Sequence, residues 1–486
     1  MKKLGGKTKQ VNPGFSLSRR EFIGLAVGGV VASALPRFIS STERLFDSNK
    51  PNIIFIIVDD LGYADPGCYG QKHIKTPNLD RMAVEGVRFT DAYSGCTVCA
   101  PARSVLMTGS HMGHTSVRGN TGGIPLRDED VTAAEVLCRA GYVCGGFGKW
   151  GLGDVRTPGV PEEHGFDTFF GYYHQVHAHD YYPAYLWRNS QKVPLPGNAD
   201  GKRQEYSHYL IFEQTLKFIQ ENRDRPFFCY APWTPPHGKY EIPNDDPAWQ
   251  IYKDKPWPRN AKVVAAMTGM IDRHVGELLA LLEALKIDDR TIVFFCSDNG
   301  AANRFDGVLN SCGPLRGYKT SLYEGGIRVP MIVRWPGKIE AGVVSDHAWY
   351  FADVTPTLAE LAGVKPPKGI DGISIVPTML GERAAGRKQP DHEFLYWEWQ
   401  RYNWSKRQDV PGGLAQAIRM GKWKAVRTKG GAPVELYDLR KDIGETHNVA
   451  ARHPDVVTKI EAYLKTCRVP PRPQIEPEKP KGQRYR

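Results

Sequence analysis

Short apolar runs alternate along the chain with amphipathic segments. Residues 52–58 form an almost continuous apolar, β-branched run, which is typical of a strand buried on both faces of a parallel sheet. From about Lys262 to Lys286 the apolar residues recur at helical spacing, which predicts a long helix with one buried face. Four further runs predict strands, namely Val143–Phe147, Phe227–Ala231, Thr291–Ser297 and Met331–Trp335. Strands that alternate with helices predict an α/β fold, with a mixed, mostly parallel sheet sandwiched by helices.

The pattern changes beyond about Gly381, where the apolar runs become shorter and turn residues separate them. Four strands and then one helix are predicted there: Phe394–Trp397, Gln416–Met420, Trp423–Arg427, Glu435–Tyr437 and His453–Thr466. This region is expected to form a smaller C-terminal antiparallel sheet packed on one helix. We therefore predict a large catalytic α/β domain at 50–380 and a C-terminal α+β subdomain at 381–467.

The formal net charge of +11 comes mostly from the two ends of the chain. Residues 1–34 contain six basic residues and one acidic residue, and residues 468–486 contain six basic and two acidic residues. Because the body between them is close to neutral, nothing supports a nucleic-acid-binding function, which requires a basic face on the folded domain. We predict that 468–486 is a basic flexible tail.

The beginning of the chain has the pattern of an export signal. Arg19 and Arg20 precede an apolar run that contains the small residues Ala32 to Ala34, and this order predicts a twin-arginine-type signal segment at 1–34. The run is too short and too rich in glycine for a stable membrane span. The twin-arginine export machinery is then an expected partner, and the expected location is periplasmic or extracellular.

Two polar pairs lie directly after predicted strands. Asp59 and Asp60 follow the run at 52–58, and Asp298 and Asn299 follow Ser297. Ligands of open α/β sheets bind at the carboxyl ends of strands, and adjacent carboxylates repel one another unless a cation neutralises them. Oxygen ligands suit Ca²⁺ or Mg²⁺, so the spacing predicts a divalent metal site at this edge of the sheet. The nine cysteines are odd in number and irregular in spacing, and they indicate no disulfide framework.

One cysteine lies in a segment that suits an anion site. Cys99 precedes Pro101 and Arg103 at a predicted turn into a helix, where free backbone N–H groups and a guanidinium favour an anion. The segment Cys99-Ala100-Pro101-Ala102-Arg103, followed by Thr108-Gly109, resembles the signature of the type I sulfatases of the alkaline phosphatase superfamily. The resemblance implies that a formylglycine-generating maturation enzyme oxidises Cys99 to formylglycine, whose hydrate attacks sulfate esters.

Three further segments carry the same resemblance: Gly148-Lys149-Trp150, Pro235-Pro236-His237 and Gly317-Tyr318-Lys319-Thr320. The resemblance implies that Lys149 and Arg103 position the nucleophile, that Lys319 binds the sulfate, and that His237 protonates the leaving oxygen. It also implies one Ca²⁺ ion, with the following ligands: Asp59, Asp60, Cys99, Asp298 and Asn299.

The chain departs from the family at Gly151, where the motif has a histidine that assists the second half of the reaction. A histidine-rich loop follows, in which His177 and His179 are candidate substrate contacts and His179 is the preferred substitute base. Both could lie on one face if the loop is extended. Arg118 and Asn120 are candidate contacts to sugar hydroxyls or acidic groups. A group of nearby aromatic residues is expected to be either sugar-stacking or core: Tyr172, Tyr173, Tyr181, Tyr182, Tyr185 and Trp187.

These observations predict a sulfuric ester hydrolase that removes sulfate from a sulfated carbohydrate. Two alternatives stay open at this point. The first is a phosphate or phosphonate ester hydrolase on the same scaffold, although such relatives generally use threonine or serine with two zinc ions. The second is a non-catalytic protein that binds sulfated glycans, which Gly151 alone favours.

Overall fold

The structure is a computed structural model, and it describes residues 50–121, 124–305, 307–403, 405–406 and 408–471. The predicted signal segment at 1–34 and residues 472–486 of the predicted tail lie outside the described residues. Within the described part of the chain, no helix is long and apolar enough to cross a membrane.

Strands and helices are numbered here in chain order over the described residues. The strands are β1 (Asn52–Val58), β2 (Val87–Phe89), β3 (Ala92–Tyr93), β4 (Val143–Lys149), β5 (Thr168–Tyr172), β6 (Tyr185–Arg188), β7 (Gln191–Pro194), β8 (Phe227–Trp233), β9 (Thr291–Ser297), β10 (Met331–Arg334), β11 (Val343–Ser345), β12 (Trp349–Tyr350), β13 (Leu395–Asn403), β14 (Gln408–Met420), β15 (Trp423–Arg427) and β16 (Glu435–Asp438). The helices are α1 (Pro77–Val84), α2 (Cys99–Thr108), α3 (Ala133–Arg139), α4 (Ser207–Asn222), α5 (Pro247–Tyr252), α6 (Arg259–Ala284), α7 (Glu324–Ile327), α8 (Val354–Leu361), α9 (Val376–Leu380), α10 (Glu382–Ala385) and α11 (Pro454–Leu464).

The large sheet has the strand order β11-β2-β10-β9-β1-β8-β4-β5-β6-β7 among the described residues. Its five central strands, from β9 to β5, are parallel to one another. Antiparallel strands extend both sides, with β10 next to β9 and β6 next to β5. The predicted strand at Met331–Trp335 is present as β10, but it runs antiparallel to β9. The mixed, mostly parallel sheet is therefore confirmed.

Helices cover both faces of this sheet, as its central strand shows. Ile53, Phe55 and Ile57 of β1 belong to one apolar cluster with residues of α2, α3 and α8. Ile54, Ile56 and Val58 belong to a second cluster with residues of α1, α4 and α6. Because both faces of β1 are buried, its sequence is continuously apolar instead of alternating.

The C-terminal sheet has the order β13-β14-β15-β16 and is antiparallel throughout the described residues. Ile418 of β14 and Ile460 of α11 lie in the apolar cluster that also contains Ile53 of β1. The predicted antiparallel sheet with one packed helix is therefore present. The predicted domain boundary at 380/381 stays a prediction, because one apolar cluster contains residues from both sides of it.

Candidate active site

Four adjacent parallel strands bring polar residues together at their carboxyl ends. Asp59 and Asp60 follow β1, Asp298 follows β9, His237 follows β8, and Lys149 ends β4. These five side chains are all buried. Next to Lys149, the strands β4 and β8 approach so closely that a Cβ at Gly148 would lie 2.1 Å from the carbonyl oxygen of Pro232. Only glycine permits this approach.

Lysines bind both carboxylates that follow β1. Nζ of Lys149 donates to Oδ2 of Asp59 at 2.5 Å, and Nζ of Lys319 donates to Oδ1 of Asp60 at 2.5 Å. Burial raises the pKa of Asp59, but Lys149 and the other basic groups around it outweigh this effect and hold the pKa well below its usual range. Asp60 has a positive φ of 66°, a strained conformation for a residue with a side chain, which is typical of functional sites.

Cys99 is the first residue of α2, and its thiol lies among these ions. Val98 is extended, and Pro101 falls in the first helical turn, where no backbone N–H is needed. Sγ of Cys99 donates to Oδ1 of Asp59 at 3.2 Å, and Nζ of Lys319 lies 3.4 Å from Sγ. Burial and the charge of Asp59 raise the pKa of the thiol above its ordinary value. Both effects favour the thiol form of Cys99 over the thiolate.

Arg103 binds Asp298 rather than Cys99 among the described residues. Its Nε and Nη2 donate to Oδ2 of Asp298 at 3.0 and 2.8 Å, and its Nη1 donates to the carbonyl oxygen of Lys149. Burial and the neighbouring Asp59 raise the pKa of Asp298 to about 7, against the lowering effect of Arg103. The centre thus holds three carboxyl groups and three basic groups: Asp59, Asp60, Asp298, Arg103, Lys149 and Lys319.

The donor set fits a hard divalent cation. Oδ1 of Asn299 is buried and has no hydrogen-bond partner among the described residues, while its Nδ2 donates to Oδ1 of Asp60 at 2.7 Å. The ligand atoms of Asp59, Asp60, Cys99 and His237 lie within 4.8 Å of one another. A buried amide oxygen that has no hydrogen-bond partner among the described residues and lies beside several carboxylates suits Ca²⁺ or Mg²⁺ as a ligand.

His237 faces the carboxylates with one ring nitrogen. Its Nδ1 donates to the carbonyl oxygen of Gly238 at 2.7 Å, and its Nε2 lies 3.5 Å from Oδ2 of Asp60. Burial lowers the pKa of His237 to about 4, although Asp59 and Asp60 oppose this effect. The ring of His179 stacks on His237 with 4.4 Å between centroids.

Comparison with known proteins shows to which family the chain belongs. A family model described as Sulfatase matches residues 51–364. The chain belongs to the sulfatase family. A second model, described as N-sulphoglucosamine sulphohydrolase, C-terminal, matches residues 318–469. The protein is therefore a sulfatase, an enzyme that hydrolyses sulfate esters, and the predicted family and enzyme class are confirmed.

Relatives of this sulfatase match most of its length. Human arylsulfatase A (Homo sapiens) is 32% identical over 469 residues, which span 85% of this chain and 87% of that protein. The N-acetylgalactosamine-6-sulfatase of Canis lupus familiaris is 33% identical over 408 residues, or 77% of this chain and 71% of that protein. The crystal structure of Ps i-CgsB in complex with k-i-k-neocarrahexaose has a TM-score of 0.74 at 29% identity, and the match covers 86% of this chain and 92% of that chain.

The histidine-rich loop of the sulfatase is not extended. Residues His177–His179 form a 3₁₀ turn, so His177 and His179 do not share a face in the predicted way. His179 reaches the centre by stacking on His237. Burial, together with the charges of His237 and Lys149, lowers its pKa to about 3. His177 packs instead against Tyr172 and Tyr185, with ring centroids 5.0 and 4.7 Å away.

Arg118 of the sulfatase binds backbone groups. Its Nε donates to the carbonyl oxygen of Thr115 at 3.0 Å and its Nη1 to that of Val469 at 2.9 Å. Its Nη2 donates to the carbonyl oxygen of Gly113 at 2.5 Å. These bonds tie the loop after α2 to the C-terminal segment, and they give no support to the prediction that Arg118 contacts sugar.

Most of the aromatic group is core, because the following residues are buried: Tyr172, Tyr173, Tyr181 and Trp187.

A second group with metal-ligand atoms joins His111 and His114, in the loop after α2, to Asp371, and hydrogen bonds hold its members together. Asp371 accepts the backbone N–H of His111 at 2.8 Å and lies 2.9 Å from Nδ1 of His114. Nδ1 of His111 accepts the N–H of Gly113 at 3.0 Å, so the neutral ring carries its proton on Nε2. A metal bound at Nε2 would require that proton on Nδ1, directly against the N–H of Gly113.

Gln175 was not identified from the sequence. This side chain is 4% exposed and donates from Nε2 to Oδ1 of Asn120 at 2.6 Å. The same oxygen accepts the N–H of Ala100, next to Cys99, at 3.2 Å. A neutral glutamine carries no charge signal in the sequence. The one available signal was indirect, since Gly151 lacks the side chain that the family motif has there.

Proposed function

We propose that this sulfatase removes sulfate from a sulfated carbohydrate, using a formylglycine made from Cys99 and one bound Ca²⁺ ion. The observation that carries this proposal is the position of Sγ of Cys99, between Oδ1 of Asp59 at 3.2 Å and Nζ of Lys319 at 3.4 Å. A nucleophile at this position is surrounded by the groups that bind an anion and a cation.

The thiol itself is a poor candidate for the nucleophile. Its pKa is raised by burial and by Asp59, and the nucleophilic form of cysteine is the thiolate. A buried, protonated cysteine next to a metal-ligand set is consistent with the family's conversion of this residue to formylglycine. The proposed maturation enzyme supplies that conversion.

The residues that would hold the metal ion are Asp59, Asp60, Asp298, Asn299 and residue 99. The bound ion supplies Lewis acidity to a sulfate oxygen, and formylglycine supplies a hydroxyl nucleophile in its hydrated form. The unpartnered Oδ1 of Asn299 and the three buried carboxyl groups support this assignment. Oxygen ligands favour Ca²⁺ over Zn²⁺.

The basic residues of the centre hold the remaining groups in place. Lys149 fixes Asp59, and Arg103 fixes Asp298 through two hydrogen bonds. Lys319 contacts both Asp60 and Sγ of Cys99, so its ammonium group is placed to bind a sulfate oxygen next to residue 99. Such preorganised charges stabilise the charge that develops on the sulfuryl oxygens.

His237 is the proposed acid for the leaving alcohol. Nδ1 is held by the carbonyl oxygen of Gly238, so Nε2 is the atom that faces the centre. A bound sulfate ester brings negative charge next to this ring, and that charge favours the protonated imidazole. Nε2 then donates its proton to the departing oxygen.

Relatives support a carbohydrate substrate. One matching protein is named an N-acetylgalactosamine-6-sulfatase, and one matching crystal structure contains k-i-k-neocarrahexaose. We therefore propose a sulfated sugar as substrate. Following the signal pattern at 1–34, we also propose export by the twin-arginine machinery to a periplasmic or extracellular location.

The test is the mass of the peptide that contains Cys99, from protein produced together with a maturation enzyme, combined with turnover of sulfated sugars. We expect the mass of an aldehyde in place of the thiol. Cys99→Ala should then lose turnover without losing thermal stability, because alanine suits the first turn of α2. An active Cys99→Ala enzyme would refute the mechanism, and faster turnover of phosphate esters than of sulfate esters would favour the phosphoesterase alternative.

A further inference from the structure

Gln175 occupies the space into which a side chain at position 151 would project. A Cβ at Gly151 would lie 2.9 Å from Oε1 of Gln175 and 3.1 Å from its Cδ. The φ angle of Gly151 is +78°, which adds strain for any residue with a Cβ. A histidine at 151 and the observed position of Gln175 therefore exclude each other.

The amide of Gln175 is connected to the turn that carries Cys99. Its Nε2 donates to Oδ1 of Asn120 at 2.6 Å, and this oxygen also accepts the N–H of Ala100 at 3.2 Å. Ala100 lies in the first turn of α2, where backbone N–H groups have no partner within the helix. By donating to Asn120, Gln175 keeps the oxygen of that amide directed at Ala100.

The other atom of the same amide has no partner. Oε1 of Gln175 is buried and accepts no hydrogen bond from the described residues. Buried acceptors of this kind are rare because they lose their hydration without compensation. A neutral amide oxygen accepts a hydrogen bond but does not take up a proton, so it fits a hydrogen-bond donor such as a hydroxyl group.

We propose that Gln175 is a positioning residue that takes the place of the missing histidine. It holds the turn of Cys99 through Asn120, and its Oε1 accepts a hydrogen bond from a hydroxyl group at the catalytic centre. This inference rests on the proposed function. Two sources of the hydroxyl are chemically equivalent, namely the matured nucleophile at residue 99 and the bound substrate.

The first test is Gln175→Met, which keeps the volume and removes the amide. We expect kcat/KM to fall about tenfold, the value of one neutral hydrogen bond. A lower kcat at unchanged KM would assign the hydroxyl to residue 99, and a higher KM at unchanged kcat would assign it to the substrate. Unchanged kinetics would overturn the positioning role.

Gln416→Met is the matched control. Gln416 is a buried glutamine of the C-terminal sheet, and its Nε2 donates to Tyr396 while its Oε1 accepts from Arg427. Removing this fully bonded amide should lower the thermal midpoint and leave kcat unchanged. Gln175→Met should instead lower kcat/KM, because it removes the oxygen that accepts the hydroxyl at the catalytic centre. A purely structural Gln175 would instead behave like Gln416.

The second test needs no turnover. Gly151→His alone should lower the thermal midpoint, because its side chain meets Gln175. Adding Gln175→Ala, which by itself destabilises the wild type by opening a cavity, should raise the midpoint of Gly151→His. Additive effects of the two substitutions would overturn the shared-space argument. If the wild-type enzyme fails to cleave sulfate esters, the proposed function is refuted. The coupling between the substitutions at 151 and 175 can still be measured, because it is read from thermal stability.

Discussion

A buried lysine of the C-terminal sheet holds two carboxyl groups next to the loop of Lys319. Nζ of Lys424, on β15, lies 2.9 Å from Oε1 of Glu324 and 3.3 Å from Oε1 of Glu445. All three side chains are fully buried. Burial, with the charge of Glu324, raises the pKa of Glu445 to about 7. At Glu324, Lys424 and other cations outweigh burial and lower the pKa to about 2.

We predict that Lys424→Met lowers the free energy of unfolding by about 3–5 kcal/mol at pH 8, the usual cost of removing one partner from a buried ion pair. Glu324 would keep Arg328, whose Nη1 lies 3.2 Å away, whereas Glu445 would lose the lysine that neutralises it. The loss is large compared with the usual net stability of about 5–15 kcal/mol.

The effect should depend on pH with a definite sign. The folded pKa of Glu445, about 7, is above its ordinary value of 4.5. Folding therefore favours the protonated carboxyl, and its contribution to stability is present below the ordinary pKa and is lost as pH rises through 7. Without Lys424 the pKa of Glu445 rises further, so the loss of stability should be larger at pH 8 than at pH 5.

Urea unfolding at pH 5 and pH 8, followed by tryptophan fluorescence, measures these differences. Adding Glu445→Gln to Lys424→Met should recover part of the stability at pH 8, because it removes the unpaired charge. Lys422→Met is the control: this lysine is 36% exposed and pairs with Asp438 at 2.7 Å, so its loss should cost less than about 1 kcal/mol. Equal losses at both pH values, or no recovery by Glu445→Gln, would refute the reasoning.

Two predictions concern turnover. Chelation of divalent ions should abolish hydrolysis of a chromogenic sulfate ester, and Ca²⁺ should restore it better than Zn²⁺ because the ligand set is rich in oxygen; the opposite order of metals would contradict the proposed site. His179→Ala should slow the step that follows release of the alcohol more than the release itself, so that a pre-steady-state burst of alcohol appears. An effect on KM alone would instead make His179 a substrate contact.

The fold could be predicted where burial makes a run of the sequence continuously apolar. Strand β1 is covered on both faces, so its seven residues are all buried and the run is recognisable at once. The direction of β10 was not predictable, because an apolar run of four residues looks the same in either orientation. Seven other strands were not predicted, namely β2, β3, β5, β6, β7, β11 and β12. Of these, β7 is mostly exposed with no apolar alternation.

The site was predictable to the extent that strand ends determine it. Asp59 and Asp298 come directly after central strands, and such ends meet at one edge of the sheet. Contacts between distant segments were not predictable. Arg118 binds the carbonyl oxygen of Val469, 351 positions later in the chain, and nothing local signals this. Gln175 needed the structure because its proposed role depends on its filling the space next to Gly151.

The turn that precedes α2 is closed by residues that occur much later in the chain. The carbonyl oxygen of Ser94 accepts the indole N–H of Trp397 at 2.7 Å, and Sγ of Cys96 contacts the carbonyl oxygen of Glu398 at 3.6 Å, 302 positions away. During synthesis at about 5–20 residues per second, roughly 15–60 s pass between the two ends of this contact.

Cys99 is 1% exposed once the fold is complete. The proposed maturation enzyme would therefore have to oxidise this thiol before the fold is complete, or on a chain that is held unfolded, because afterwards the sulfur is out of reach. Chain order then sets the order of the proposed events: oxidation of residue 99 comes first, closure of the turn by the C-terminal strands second, and transport of the folded enzyme last.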